Sequence, residues 1–134
     1  MKILWGNKDG GPESEVQCWG VEIKSLFSVM LLRFTTKSRN AYHSHAFWSI
    51  SWLLKGALLE NRRYDENGYQ YSHLNLYRAG IKPIIITRDN LHMVRGLHGT
   101  KYHWALTFRG PWTATWKDGQ PGDLDTLTHG RRKV

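Results

Sequence analysis

The sequence has very little cysteine. Among its 134 residues only Cys18 carries a thiol, so no disulfide can form within the chain. Long apolar runs are also missing, and no stretch approaches the ~20 apolar residues that a membrane-spanning helix needs. The first residues, "MKILWGNKDGG", lack the longer apolar segment of a secretory signal peptide. These absences lead us to expect a cytoplasmic protein with a reduced thiol.

Acidic residues are outnumbered. Eleven Asp and Glu stand against 19 Lys and Arg, which gives a formal charge of +8. Such a balance favours anionic partners, either small phosphorylated or carboxylated molecules or nucleic acid bound without sequence preference. No Ser-His-Asp order, glycine-rich phosphate loop or Cys-x-x-Cys occurs, so the mechanisms that depend on them have no support.

Helical periodicity is absent, and strand patterns dominate. "EVQCWGVEI", "SLFSVMLLRF" and "YSHLNLYRAG" have the composition or alternation of strands, and "FWSISWLLKGALLE" is one long strand or a pair bent at Gly56. "KPIIITRD" predicts a short buried strand, and "KYHWALTFRGPWTATW" a last long one. The fold class expected is all-β, a single jelly-roll β-barrel over residues 16–121. An irregular lead-in with one short edge strand (1–15) precedes it, and a basic surface tail (122–134) follows.

Aromatic residues are in excess, with 7 Trp in the chain. Trp104, Leu106 and Phe108 share one face of the last strand, and Trp48 and Trp52 share one face of another. We expect most of these side chains to pack in the core, because aromatic residues bury large areas.

Histidines open the apolar stretch "RNAYHSHAFWSISWLLKG". Because strand side chains alternate with period two, His43 and His45 fall on the same side of an extended chain. His92 follows a glycine, a short strand and a polar turn in "AGIKPIIITRDNLHMV". Neutral imidazoles in such a group are typical metal ligands, although core histidines are often only hydrogen-bonded. The weaker candidates for the site are His73, His98 and His103.

This layout resembles the cupin superfamily, over roughly residues 20–116. A narrower similarity, to small cupin-like proteins of bacteria and their phages, rests on three segments: "LFSVMLLRF", "HSHAFWSISWLLKGALLE" and "WALTFRGPW". The resemblance implies a jelly-roll barrel in which His43, His45 and His92 hold a divalent metal. The family's usual glutamate would fall near Ser49, where this sequence has no carboxylate. A neutral three-histidine site is similar to the thiol dioxygenase branch, which uses Fe(II); alternatively, Glu60 could serve as a fourth ligand or base.

Function is expected to follow from that site. The favoured interpretation is a metal-dependent enzyme with Fe(II)-type dioxygenase chemistry, and isomerase or lyase chemistry is the next choice. Zn(II), Ni(II) and Mn(II) are alternatives to Fe(II), because the ligand type does not select the metal. A small anionic substrate would lie in the barrel mouth against Tyr42, Glu60 and Arg88. The alternative is a non-catalytic binding module for a small ligand or a partner macromolecule. Exposed edge strands predict a homodimer.

Overall fold

The fold consists of two antiparallel β-sheets. The computed structural model describes residues 1–10, 14–37, 42–66, 69–88, 90–113, 115–120, 123–128 and 132–133. All regular elements within these ranges are strands, which confirms the predicted all-β class. These ranges contain no helix of the length and apolarity that crossing a membrane requires.

The strands divide between a six-stranded and a seven-stranded sheet. In the order of the chain they are β1 Lys2–Lys8, β2 Gln17–Ile23, β3 Phe27–Phe34, β4 Tyr42–His43, β5 Ser49–Lys55, β6 Ala57–Glu66, β7 Tyr69–Arg78, β8 Ile84–Ile86, β9 Leu91–Gly96, β10 His103–Arg109, β11 Thr115–Gln120, β12 Asp123–Thr128 and β13 Arg132–Lys133. The first sheet runs β1-β2-β3-β10-β5-β8, and the second runs β13-β12-β11-β4-β9-β6-β7.

Alternation along each strand decides which side chains face the interior. In β10, Ala105, Thr107 and Arg109 are buried. All three line the cavity between the sheets, whereas Leu106 and Phe108 do not. The prediction that Leu106 and Phe108 share a face is right, but the expectation that this face packs in the core is wrong. It lies on the outside of the six-stranded sheet.

Buried apolar side chains form two clusters, and several of their members line the cavity. The first contains Leu4, Val16, Cys18, Met30 and Leu32; the second contains Leu53, Leu58 and Ala105, and Phe34 packs against both. Burial raises the pKa of the Cys18 thiol to about 12, and the nearby charge of Asp9 acts in the same direction. Cys18 is therefore an inert core residue at neutral pH.

Gly56 is the point at which the chain passes from one sheet to the other. β5 ends at Lys55 in the first sheet, and β6 starts at Ala57 in the second. The φ of Gly56 is +90°, and a Cβ there would lie within 3 Å of the His103 ring. The His103 Nδ1 atom accepts the Ala57 N–H at 2.9 Å, so its Nε2 atom donates to the Leu97 carbonyl at 3.0 Å. The "FWSISWLLKGALLE" segment is thus a bent pair of strands, held at the bend by His103.

Three segments differ from their predictions. Residues 101–116 form two strands rather than one, because Gly110 and Pro111 interrupt the pattern and Pro111 has no N–H to donate. The β8 strand is an edge strand, and its Ile85 side chain is exposed rather than buried. The region 122–134 contains β12 and β13, which extend the second sheet. The division into lead-in, barrel and tail otherwise stays a prediction.

A hydrogen bond between neighbouring strands gives a first test of this packing. The hydroxyls of Ser51 and Thr107 are 2.7 Å apart on the inner face, and Thr107 is buried. Thr107→Val is expected to lower the free energy of unfolding by about 1 kcal/mol, because it removes the partner of the Ser51 hydroxyl. Adding Ser51→Ala should restore most of the loss. Urea denaturation of the two single variants and the double variant measures this, and equal losses in Thr107→Val and the double variant would contradict it.

Candidate metal centre

His43 and His45 present their rings to the same side of the chain, as the alternation predicts. Their centroids are 5.0 Å apart, and the planes differ by 13°. Ser44 between them is bonded to β11. Its N–H donates to the Lys117 carbonyl, and its Oγ atom accepts the Lys117 N–H, each at 2.9 Å. These two bonds to β11 fix the orientation of the segment.

His92 comes from the strand that pairs with β4. The backbone register places His92 directly opposite His43. The Nε2 atom of His92 lies 3.2 Å from the Nε2 atom of His45. The ligand atoms of all three histidines lie within 4.8 Å of one another. The predicted convergence of the three rings is therefore found, and His92 comes from the neighbouring strand β9.

The spacing of the His45 and His92 nitrogens suits a divalent ion. Two imidazole nitrogens bound to one ion at about 2.0–2.1 Å lie roughly 2.9–3.4 Å apart when the angle at the ion is about 90–110°. The 3.2 Å separation between His92 and His45 falls inside that interval. His92 is buried, and His43 and His45 are half-buried. Three histidine ligands would leave the remaining coordination positions of an ion open, which is typical of catalytic rather than structural sites.

Glu60 holds His92 in place. Its Oε2 atom lies 2.5 Å from His92 Nδ1, so the Nδ1–H group donates to the carboxylate and the Nε2 lone pair faces the other histidines. Tyr77 and Asn75 donate to Oε1 at 2.8 and 3.0 Å, and Arg62 lies 3.2 Å from it. Burial works against ionisation of Glu60, but the hydrogen bonds and charge of His92, with Tyr77 and Asn75, outweigh it and lower the pKa of Glu60 to about 2.

This geometry bears on the role of Glu60. Among the described residues, the group that could hold a metal contains the three histidines and does not include Glu60. The carboxylate is fully buried, and both of its oxygens are occupied. These contacts support Glu60 as a positioning residue for His92, and its expected roles as fourth ligand, base or substrate contact stay predictions. Three neutral histidines would therefore bind the metal directly, and the negative charge of Glu60 would act on it only through His92.

Glu60→Gln tests this positioning role. An amide cannot accept the His92 N–H with the same strength, and its NH₂ group can turn the imidazole to the other tautomer. We expect metal affinity to fall about 10–100-fold while the fold survives. Titration with Zn(II) monitored by calorimetry measures the change. Asn75→Ala is the control, since it removes one donor to Glu60 and leaves the His92 contact intact; equal losses in both variants would contradict a specific effect on His92.

The cavity beside the histidines has a volume of about 440 Å³. Phe47 forms part of its wall, 5.0 Å from the His45 ring and 5.3 Å from the Trp112 ring, measured between centroids. On the far side of Phe47, the Arg109 guanidinium lies 4.5 Å from the ring centroid and makes a two-pronged ion pair with Asp9. Arg109 and Asp9 also line this cavity, and Arg109 belongs to β10 of the other sheet.

The other predicted site residues have different outcomes. Arg88 is exposed, its Nη2 atom lies 3.5 Å from the Pro111 carbonyl, and it does not line the cavity, so the geometry does not support it as a substrate contact. The side chain of Tyr42 lies outside the described part of the structure, and its role stays a prediction. His73 and His98 are exposed and absent from the cavity lining, and His103 has the structural role described above.

Arg109, Phe47 and Tyr77 are the residues that sequence reasoning underestimated. Arg109 lies on the same face of β10 as Ala105 and Thr107, because side chains alternate with period two. Placing Thr107 in the interior would therefore have placed Arg109 there as well. Tyr77 lacked any such signal. Its contact with Glu60 depends on the pairing of β6 with β7, in which Glu60 lies opposite Asn75.

In sequence, the chain matches no protein-family model and no curated protein. Solved structures do match. A protein with a double-stranded β-helix domain from Klebsiella pneumoniae subsp. pneumoniae MGH 78578 is similar at 14% identity and a TM-score of 0.59, over 83% of this chain and 84% of that one. An RmlC-like cupin protein from Ralstonia eutropha JMP134 is similar at 13% identity and a TM-score of 0.56, over 95% and 69%.

An enzyme is also among the similar structures. Hydroxypropylphosphonic acid epoxidase (HppE) from S. wedmorenis, in complex with fosfomycin, matches at 13% identity and a TM-score of 0.55, over 71% of this chain and 51% of its own. Its Fe(II) form matches at a TM-score of 0.58. This chain spans about half the length of the epoxidase. The narrower similarity to proteins of bacteria and phages stays a prediction. The two sheets and these similarities show that this chain has a double-stranded β-helix fold, as the similar Klebsiella and Ralstonia proteins do.

Proposed function

We propose that this protein is a metal-dependent enzyme that carries out Fe(II)-type oxygen chemistry on a small anionic substrate. The observation that carries the proposal is the convergence of His43, His45 and His92 within 4.8 Å at the wall of a cavity. Similarity of fold to the Fe(II) form of HppE supports iron as the metal to test first. Isomerase or lyase chemistry with another divalent ion is the form to consider next.

The protein's own residues have distinct tasks in this proposal. His43, His45 and His92 hold the metal, and Glu60 fixes the His92 tautomer so that Nε2 is the ligand atom. When bound, the metal supplies Lewis-acid or redox chemistry at its open coordination positions. The Phe47 ring beside His45 and the apolar side chains that line the cavity limit the access of water to the open coordination positions of the metal.

The preference for an anion follows from the cavity wall. Lys2, Lys8 and Lys24 line it, together with Arg109, Asp9, Glu22 and Glu60. Arg109 is paired with Asp9, so the attraction of an anion rests on the three lysines. The Lys24 side chain is exposed, and its ammonium lies 4.5 Å from the centroid of the Trp112 ring at the edge of the cavity. The lysines raise the local concentration of a carboxylate, phosphate or phosphonate at the cavity.

Oxygen uptake tests the proposed reaction. The protein is loaded anaerobically with Fe(II), mixed with a panel of small thiols, carboxylates and phosphonates, and then exposed to air in an oxygen electrode. We expect substrate-dependent oxygen consumption that His45→Ala abolishes and the exposed control His98→Ala retains. Metal binding without uptake for any substrate class would instead favour isomerase, lyase or binding functions.

A non-catalytic binding module is the second candidate. One observation favours it: Ser49, where the family's usual glutamate would fall, is a buried hydroxyl on the cavity wall, so the site lacks that carboxylate. A ligand that raises the melting temperature equally in wild type and in His45→Ala would support this function, because its binding would not need the metal.

A further inference from the structure

The outer side of the six-stranded sheet is apolar from one edge to the other. One row of paired residues, the central row, crosses all six strands: Ile3, Val21, Val29, Phe108, Ile50 and Ile85. A second row lies two residues along each strand: Trp5, Trp19, Leu31, Leu106 and Trp52. Neither row contains a charged or polar side chain, and none of these residues lines the cavity.

Exposure along the central row shows that nothing in the described part of the chain covers it. Ile3 is 70% exposed, Phe108 is 40% exposed and Ile85 is 60% exposed. In the second row Trp5 is 82% exposed. Contacts within the face are lateral: the Trp52 and Phe108 rings meet edge to face at 5.9 Å. Such lateral contacts leave the outer surface of these side chains in water.

The size of this face is at the upper end of what an isolated protein exposes. Six strands at about 4.8 Å spacing span about 24 Å, and the two rows with the residues flanking them extend about 20 Å along the strands. The resulting ~500 Å², which includes Gln17, Arg33 and Lys55 in the row beyond the second one, is near the upper end for the largest apolar patch of a monomer. It matches the apolar centre of a specific interface that buries about 800 Å² on each partner.

We infer that this face is a dimer interface that packs against the same face of a second copy of the chain. A two-fold interface needs a surface complementary to itself, and two uncharged rows can meet their own copies without bringing like charges together. Packing of two apolar sheet faces about 10 Å apart is the arrangement that builds the cores of β-sandwiches. The mode differs from strand-edge pairing, because no new backbone hydrogen bonds are needed.

Charge argues against other occupants of this face. Nucleic acid and anionic membranes both require cations at the contact, and the central and second rows have none. Arg33 lies beyond the second row, and its guanidinium is stacked over the Tyr102 ring at 4.2 Å. The histidines and Glu60 are on the opposite sheet, so dimer formation leaves the candidate metal centre accessible and the inference does not rest on the proposed function.

The test is the mass in solution of the full chain and two variants. Light scattering after size exclusion at about 50 µM should give twice the 15.6 kDa chain mass for wild type. Phe108→Asp places a charge at the centre of the face and should give the single mass. Leu74→Asp, at an exposed apolar position on β7 of the other sheet, is the matched control and should stay dimeric.

If Phe108→Asp does not fold, a second variant tests the same face. Trp5→Asp/Ile85→Asp changes the two edge strands, where the side chains are most exposed and pack least within the monomer. This double variant should also be monomeric, with an unchanged circular dichroism spectrum. A monomeric wild type, or folded variants of the face that stay dimeric, would overturn the inference. Flotation of a monomeric wild type with phosphatidylcholine–phosphatidylserine vesicles would overturn it in favour of a membrane surface.

Discussion

His92→Ala is expected to abolish retention of a divalent metal. The wild-type protein should hold about one ion per chain, because three imidazoles converge and Glu60 holds His92 in the ligand tautomer. Two remaining histidines on one short segment cannot enclose the ion, and the buried Glu60 carboxylate is not placed among the ligand atoms. Elemental analysis after dialysis against a weak chelator measures the loss. His73→Ala, at an exposed position on β7, should keep the wild-type metal content.

Thermal melts provide the second readout of the same prediction. A ligand that binds only the folded state at a hundredfold excess over its dissociation constant stabilises that state by about 2.7 kcal/mol. Fe(II), Zn(II) or Ni(II) should therefore raise the melting temperature of wild type and leave that of His92→Ala unchanged. A wild type that purifies without metal and ignores all three ions, with a lower melting temperature in His92→Ala, would make the histidines structural core residues.

The candidate metal ligands were predictable from sequence for a local reason. His43 and His45 share a face because of the two-residue period of an extended chain, and this holds whatever the rest of the fold does. The contribution of His92 needed a long-range pairing, β4 with β9, that spacing alone does not specify. The resemblance to cupins supplied it. The Glu60–His92 contact had no local signal, because it depends on the pairing of β6 with β9.

Alternation predicts which residues share a face but not which face is inside. In β10 the apolar set, Leu106 and Phe108, lies outside, and the mixed set with Thr107 and Arg109 lies inside. The usual guide, that the more apolar face is buried, fails here because a cavity lined for a polar ligand makes the interior less apolar. An outer face intended for contact with another molecule makes the exterior more apolar. Both causes act in the same strand.

Asp9→Asn should destabilise the fold by about 3 kcal/mol. Arg109 is buried, and its Nη1 and Nη2 atoms donate to the two Asp9 carboxylate oxygens at 3.0 and 2.6 Å. Burial disfavours the charged guanidinium, but the charge and hydrogen bonds of Asp9 prevail and raise the pKa of Arg109 above its ordinary value. Removing the carboxylate charge leaves a buried cation, which costs about 3–5 kcal/mol. The lower end applies, because Asn can still accept one hydrogen bond and the charge of Glu22 acts on Arg109.

The double variant Asp9→Asn/Arg109→Met separates the cost of the stranded charge from the loss of packing. Met has a comparable apolar stem and can keep the contact with Phe47, so most of the lost free energy of unfolding should return. Glu15→Gln is the control, because it removes one negative charge at an exposed position and should change stability by less than about 0.5 kcal/mol. Guanidinium chloride denaturation measures all four proteins. An Asp9→Asn midpoint equal to that of Glu15→Gln would show that Arg109 does not depend on this ion pair, and it would then be a cation free to meet a substrate anion.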